Sequence, residues 1–127
     1  MSEPIRVVLV EDNDVFRDAL ELLLGLRSDM TVVASVPDGS AAADAVAELR
    51  PDVVLMDYRL PGLDGVQATR AVLETYPAAR VVCLSASANL RERDALMEAG
   101  AVAYLSKDEG LEAIVDAILA AARPAAA

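Results

Sequence analysis

Five short apolar runs punctuate this chain, and each is followed by a segment with helical spacing. The runs are IRVVLV (5–10), TVVASV (31–36), VVLM (53–56), RVVCLS (80–85) and AVAYL (101–105). A short, continuous run rich in Val, Ile and Leu is what a strand buried on both faces requires. The intervening segments read as helices: 13–26, 40–49, 66–76, 89–100 and 108–122. In the first, Val15, Ala19, Leu22, Leu23 and Leu26 recur at helical spacing and form the expected buried stripe, with Asn13 as its cap. In the fourth, Asn89 and Glu92 have the spacing of a capping box, and Gly100 is placed to stop the helix. In the last, Leu111, Ile114, Val115 and Ile118 share a face. Strand and helix alternate five times, which predicts an α/β domain with a parallel sheet covered by helices on both sides.

The 127 residues make one ordinary domain. Residues 1–122 are assigned to it, and 123–127 (RPAAA) to a tail or the start of a linker. A formal charge of −10 makes the chain a poor binder of nucleic acid, which needs cationic contacts to phosphate. Cys83 is the only cysteine, so no internal disulfide forms. Residues 1–10 lack the pattern of a signal peptide, and no apolar run reaches the length of a membrane span. The expectation is a cytoplasmic domain that does not engage a membrane.

In doubly wound sheets, ligands sit beyond the carboxyl ends of the strands. Glu11 and Asp12 follow the first run, Asp57 the third, Ser85 ends the fourth, and Ser106 and Lys107 follow the fifth. Lys107 is the sole lysine among 11 basic residues. Three carboxylates meeting at these ends repel, by about 4 kcal/mol per pair at ~4 Å and an effective dielectric of ~20. One lysine cannot neutralise three acids. A divalent cation can, and Mg²⁺ prefers such oxygen ligands. With no histidine and a solitary cysteine, a zinc or soft-metal site is disfavoured. A flavin or dinucleotide site is disfavoured too, because the loop after the first strand reads EDND and repels phosphate.

The segments VVLVEDN, PDVVLMDYRLPGLDG, VVCLSA and GAVAYLSKD, in that order, closely resemble the receiver domain of two-component response regulators. The wording DVVLMDYRLPGLDG with AYLSKD is most similar to the NarL/FixJ-type branch. The resemblance covers nearly the whole chain and implies a flavodoxin-like (βα)5 fold with strand order 2-1-3-4-5. It implies Asp57 as phosphoacceptor, forming an aspartyl phosphate. Glu11, Asp12, Asp57 and the backbone carbonyl of Arg59 would hold Mg²⁺, or Mn²⁺ in its place. Lys107, Ser85 and the backbone N–H of Ala86 would bind the phosphoryl oxygens. Ser85 and Tyr104 would act as the switch.

The implied partner is a sensor histidine kinase. The implied response is a change around the fourth helix, fifth strand and fifth helix, with a homodimer through that face or the last helix. DNA would be contacted only through a helix-turn-helix output domain that this chain lacks, so truncation at a linker is the favoured reading. The alternative is a stand-alone receiver acting on a protein partner. Three positions depart from the common pattern: Glu11 for Asp, Ser85 for Thr, and Asp108 where many receivers carry proline. None removes a required functional group. A haloacid-dehalogenase-type hydrolase is the enzymatic rival, but it needs an acid two residues after its nucleophile, where this chain has Arg59. The domain is therefore expected to catalyse only its own phosphorylation and dephosphorylation. A phosphorylation-independent interaction module is the third reading.

Overall fold

The structure, a computed structural model, describes residues 3–86 and 89–122. The tail assigned to 123–127 lies outside the described residues. Five strands form one parallel sheet: β1 (Ile5–Val10), β2 (Met30–Val36), β3 (Val53–Asp57), β4 (Arg80–Ser85) and β5 (Ala103–Ser106). Their spatial order is β2-β1-β3-β4-β5, as expected. The connecting helices are α1 (Asp14–Gly25), α2 (Ala42–Leu49), α3 (Gly65–Thr75), α4 (Leu90–Ala99) and α5 (Leu111–Ala122).

Alternation along the strands splits the core into two layers. Val8, Val10, Val54, Met56, Val81 and Cys83 face one side, where Val46 of α2, Val72 of α3 and Leu96 of α4 cover them. Val7, Leu9, Val53, Leu55, Val82 and Leu84 face the other, against Leu20 and Leu24 of α1 and Ile114, Val115 and Ile118 of α5. All five residues of β3 are buried, because this strand lies in the middle of the sheet with neighbours on both edges and helices on both faces.

The structure corrects several details of the sequence reading. In α1 the buried stripe is Leu20 and Leu24, with Phe16 half-buried above them, while Val15, Ala19, Leu22, Leu23 and Leu26 are all exposed. The apolar residues of the helix span a broad arc opposite Asp14, Arg17, Asp18 and Glu21, so two stripes at helical spacing compete, and packing against the sheet selects one. The segment before α2 is a 3₁₀ turn at Gly39–Ala41, where Asp38 accepts a hydrogen bond from the Ala41 N–H at 2.9 Å. Strand β5 starts at 103 rather than 101. The last helix starts at 111 rather than 108. A 3₁₀ turn at Lys107–Glu109 precedes it, and Gly110 breaks the two apart with a φ of 90°.

Two caps unread from sequence fix the loops around the strand ends. Asp64 accepts from the Gln67 N–H at 2.9 Å while Gln67 Oε1 accepts from the Asp64 N–H, closing a capping box on α3. Ser106 Oγ accepts from the Asp108 N–H, and Glu109 accepts from the Ser106 N–H at 2.8 Å. Gly65, the first residue of α3, donates to the Tyr58 carbonyl at 2.8 Å. A Cβ there would sit 2.7 Å from the Asp57 carbonyl oxygen, so only glycine lets the helix close down on the end of β3.

Candidate functional site

The ends of β1 and β3 bring Glu11, Asp12 and Asp57 to one place, and β4 ends in Ser85 alongside β3. Tyr58 N–H donates to the Leu84 carbonyl at 2.9 Å, and Glu11 N–H to the Val36 carbonyl at 3.0 Å. These bonds continue the sheet ladder past the strands and hold the polar residues at a fixed level. Glu11 and Asp57 are almost fully buried, at 2% and 6% exposure, whereas Asp12 is exposed. One carboxylate oxygen from each of Glu11, Asp12 and Asp57 lies within 4.8 Å of the other two.

Lys107 reaches into the cluster from the far end of β5. Its Nζ is 2.7 Å from Glu11 Oε1 and 3.5 Å from Asp57 Oδ1. The nearer partner is thus Glu11, which the sequence reading did not pair with it. The Phe16 ring lies beneath the ammonium, 4.6 Å from Nζ to the centroid. Glu11 is held further by the Asn13 N–H on its Oε2 at 3.0 Å, and its carbonyl accepts from Arg17 Nη1 at 2.8 Å.

One ammonium against three acids leaves the cluster short of positive charge. Burial, reinforced by the charge of Glu11 and opposed by Lys107, pushes the Asp57 carboxyl up from 3.8 to about 7. Asp12 adds a smaller upward push. The donor set fits a hard divalent cation, because it consists of carboxylate oxygens. Glu11 Oε1 is paired with Lys107 at 2.7 Å and has no further donor among the described residues, so it retains a lone pair for another ligand. Asp12 opens to solvent and lines, with Tyr58, Arg59, Leu60, Pro61 and Asp64, a depression of about 430 Å³. Arg59 therefore lines the same depression as Asp12.

Ser85 and Tyr104 lie on the neighbouring strands. Ser85 is 2% exposed, and its Oγ donates to Glu92 Oε1 of α4 at 2.7 Å. Glu92 is itself buried. The expected Asn89–Glu92 capping box is consequently only half made. Asn89 Oδ1 accepts from the Arg91 and Glu92 N–H groups at 2.9 and 3.2 Å, but the Glu92 side chain has turned to Ser85. The Asn89 N–H donates instead to Tyr104 Oη at 3.3 Å. Tyr104 is half-buried against the α2–α3–α4 layer. Ala86 is exposed just past β4.

Sequence reasoning missed Glu92 as a partner of Ser85 and Phe16 as a partner of Lys107. Glu92 matched a helix-cap pattern, and nothing in the spacing shows that its side chain turns back to the strand. Cys83 is buried beside Thr69, and burial pushes its thiol up to about 12, which makes it a core residue without reactivity.

Residues 7–119 match the model of the response regulator receiver domain. The transcriptional regulatory protein LnrK of Bacillus subtilis is 34% identical over 91% of this chain and 52% of its own length. The response regulator GacA of Pseudomonas aeruginosa is 37% identical over 90% of this chain and 53% of its own. The chain thus spans about half the length of these curated relatives. Among solved structures, the signal receiver domain of the response regulator NarL from Mycobacterium tuberculosis superposes with a TM-score of 0.89 at 35% identity, covering 95% of this chain and 98% of that one.

Proposed function

The chain belongs to the response regulator receiver domain family, and from that premise we propose that Asp57 accepts a phosphoryl group from a sensor histidine kinase. The observation that carries this reading is the placement of Asp57: a buried carboxylate, held up to about 7, within 4.8 Å of two further acids and beside the ammonium of Lys107.

In the transfer, an oxygen of ionised Asp57 attacks phosphorus. A new P–O bond forms, and the P–N bond of a phosphohistidine breaks. The imidazole leaves with the electron pair and takes a proton from water. Lys107 lies 3.5 Å from Asp57 Oδ1 and opposes the rise of its pKa, so it favours the ionised nucleophile. It also offers positive charge to the oxygens of the transferring group. The Ser85 hydroxyl and the Ala86 N–H, at the end of the adjacent strand, bind those oxygens once the group is in place. Glu11 and Asp12, with Asp57 and the Arg59 carbonyl, would hold Mg²⁺, which supplies the remaining positive charge that phosphoryl transfer demands.

The phosphorylated form then rearranges at Ser85 and Tyr104 and presents an altered face of α4, β5 and α5. LnrK is a transcriptional regulatory protein by name. The output proposed for this chain is therefore transcription, exerted through a DNA-binding domain. Incubation with Mg²⁺ and a small acyl phosphate tests the core of the reading. Intact mass should rise by one phosphoryl group in the wild type and not in Asp57→Asn. Failure of the wild type to gain it refutes the assignment.

A further inference from the structure

Glu92 has no role in the chemistry above, yet it is a buried carboxylate, 7% exposed, on the first turn of α4. A buried carboxylate is costly unless a donor satisfies it. Its donor is the hydroxyl of Ser85, at 2.7 Å. A serine hydroxyl carries one proton and so donates one strong hydrogen bond at a time. In this structure that bond goes to Glu92.

We propose that Glu92 is the positioning residue for Ser85, competing with the phosphoryl group for the Ser85 proton and so tying the state of Asp57 to α4. The inference rests on the phosphoacceptor reading of Asp57. When the Ser85 hydroxyl turns to a phosphoryl oxygen, the Glu92 carboxylate loses its donor while still buried. No second donor to it lies among the described residues, so it recovers one by turning outward to water, which disturbs the first turn of α4 that carries it. That backbone is tied to Asn89, whose Oδ1 caps the Glu92 N–H at 3.2 Å. The Asn89 N–H is in turn bonded to Tyr104 Oη at 3.3 Å. Loss of one hydrogen bond at Glu92 thus reaches the α4 cap and the tyrosine of β5 through consecutive contacts. The carboxylate makes the coupling strong, because a hydrogen bond to an ionised acceptor is roughly twice as strong as a neutral one.

The test uses the full 127-residue chain with Mg²⁺ and beryllofluoride, a stable mimic of the phosphoryl group. Glu92→Gln keeps the shape and an acceptor oxygen but removes the charge, so Ser85 is released more cheaply. It should bind beryllofluoride about five-fold more tightly than the wild type, the ratio expected for weakening one charge-assisted bond to a neutral one. In a Ser85→Ala background the same substitution should give no gain, since the competition no longer exists. In the wild type, beryllofluoride should lower the hydrogen-exchange protection of the Arg91 and Glu92 amides. A purely structural Glu92 would change stability without changing this cycle.

Equal affinity of wild type and Glu92→Gln, or the same gain with and without Ser85, overturns the proposal. So does unchanged exchange at Arg91 and Glu92 in wild type saturated with the mimic, an outcome that needs no variant to fold. Failure of the underlying reading shows separately, as a wild type that neither binds beryllofluoride nor gains a phosphoryl group.

Discussion

Asp57→Asn should make the metal-free protein more stable, although it removes a partner of Lys107. The carboxyl of Asp57 is raised from 3.8 to about 7, chiefly by burial and by Glu11. At about 1.4 kcal/mol per pKa unit, that rise corresponds to about 4 kcal/mol of native-state penalty when the group is ionised. Asp57 is only 6% exposed, so solvent screens little of it. Asparagine matches the protonated form in shape and charge and escapes the penalty. Lys107 keeps its closer partner, Glu11, at 2.7 Å. Relaxation of the exposed Asp12 side of the cluster offsets part of the effect, leaving about 2–4 kcal/mol, or a gain of about 8–16 °C in melting temperature for a domain of this size.

The pH dependence gives the sign. A carboxyl whose folded pKa lies above its unfolded value favours the native state below the unfolded pKa, and that advantage is lost as pH rises through the folded one. Wild type should therefore lose stability relative to Asp57→Asn from pH ~4 upward, with the gap complete above pH ~7. Urea or thermal unfolding in a chelating buffer at pH 4, 5, 6 and 8 measures it. A variant no more stable than wild type at pH 8, or a gap that does not change with pH, refutes the electrostatic account of the cluster.

Mg²⁺ should raise the melting temperature of the wild type by binding its native state, and Asp12→Ala should abolish most of that gain. A melting temperature indifferent to Mg²⁺ contradicts the role given to the acids. Lys107→Arg should keep the charge but impair the phosphorylation-driven change. The wider planar fork does not fit a space bounded by Glu11, Asp57 and the Phe16 ring. Hydrogen exchange in α4 with and without the mimic reads this, and a wild-type response in Lys107→Arg contradicts it.

Much of the site was legible because the fold converts position in sequence into position in space. A buried parallel strand is a run of apolar residues, and its end is where the run stops. Glu11, Asp12 and Asp57 could thus be placed beside one another without coordinates, and Ser85 at the end of a neighbouring strand. The helices were harder to read. In α1, Phe16, Leu20 and Leu24 compete with Val15, Leu22 and Leu26, and only contact with β1, β3 and α5 decides which stripe is buried. The start of α5 was missed because Ser106 and Glu109 cap a separate 3₁₀ turn, a local hydrogen-bond choice that resembles a helix start. Glu92 and Phe16 act through contacts between distant elements, and such contacts leave no periodic trace in the chain.

The central claim is that Asp57 itself carries the phosphoryl group. Treating the phosphorylated wild-type chain with borohydride reduces an aspartyl phosphate to homoserine, and peptide mass spectrometry then locates the change. The account predicts homoserine at position 57 and nowhere else, only when Mg²⁺ and phosphodonor are both present. Homoserine at Asp12, at another acid, or at no position would contradict it.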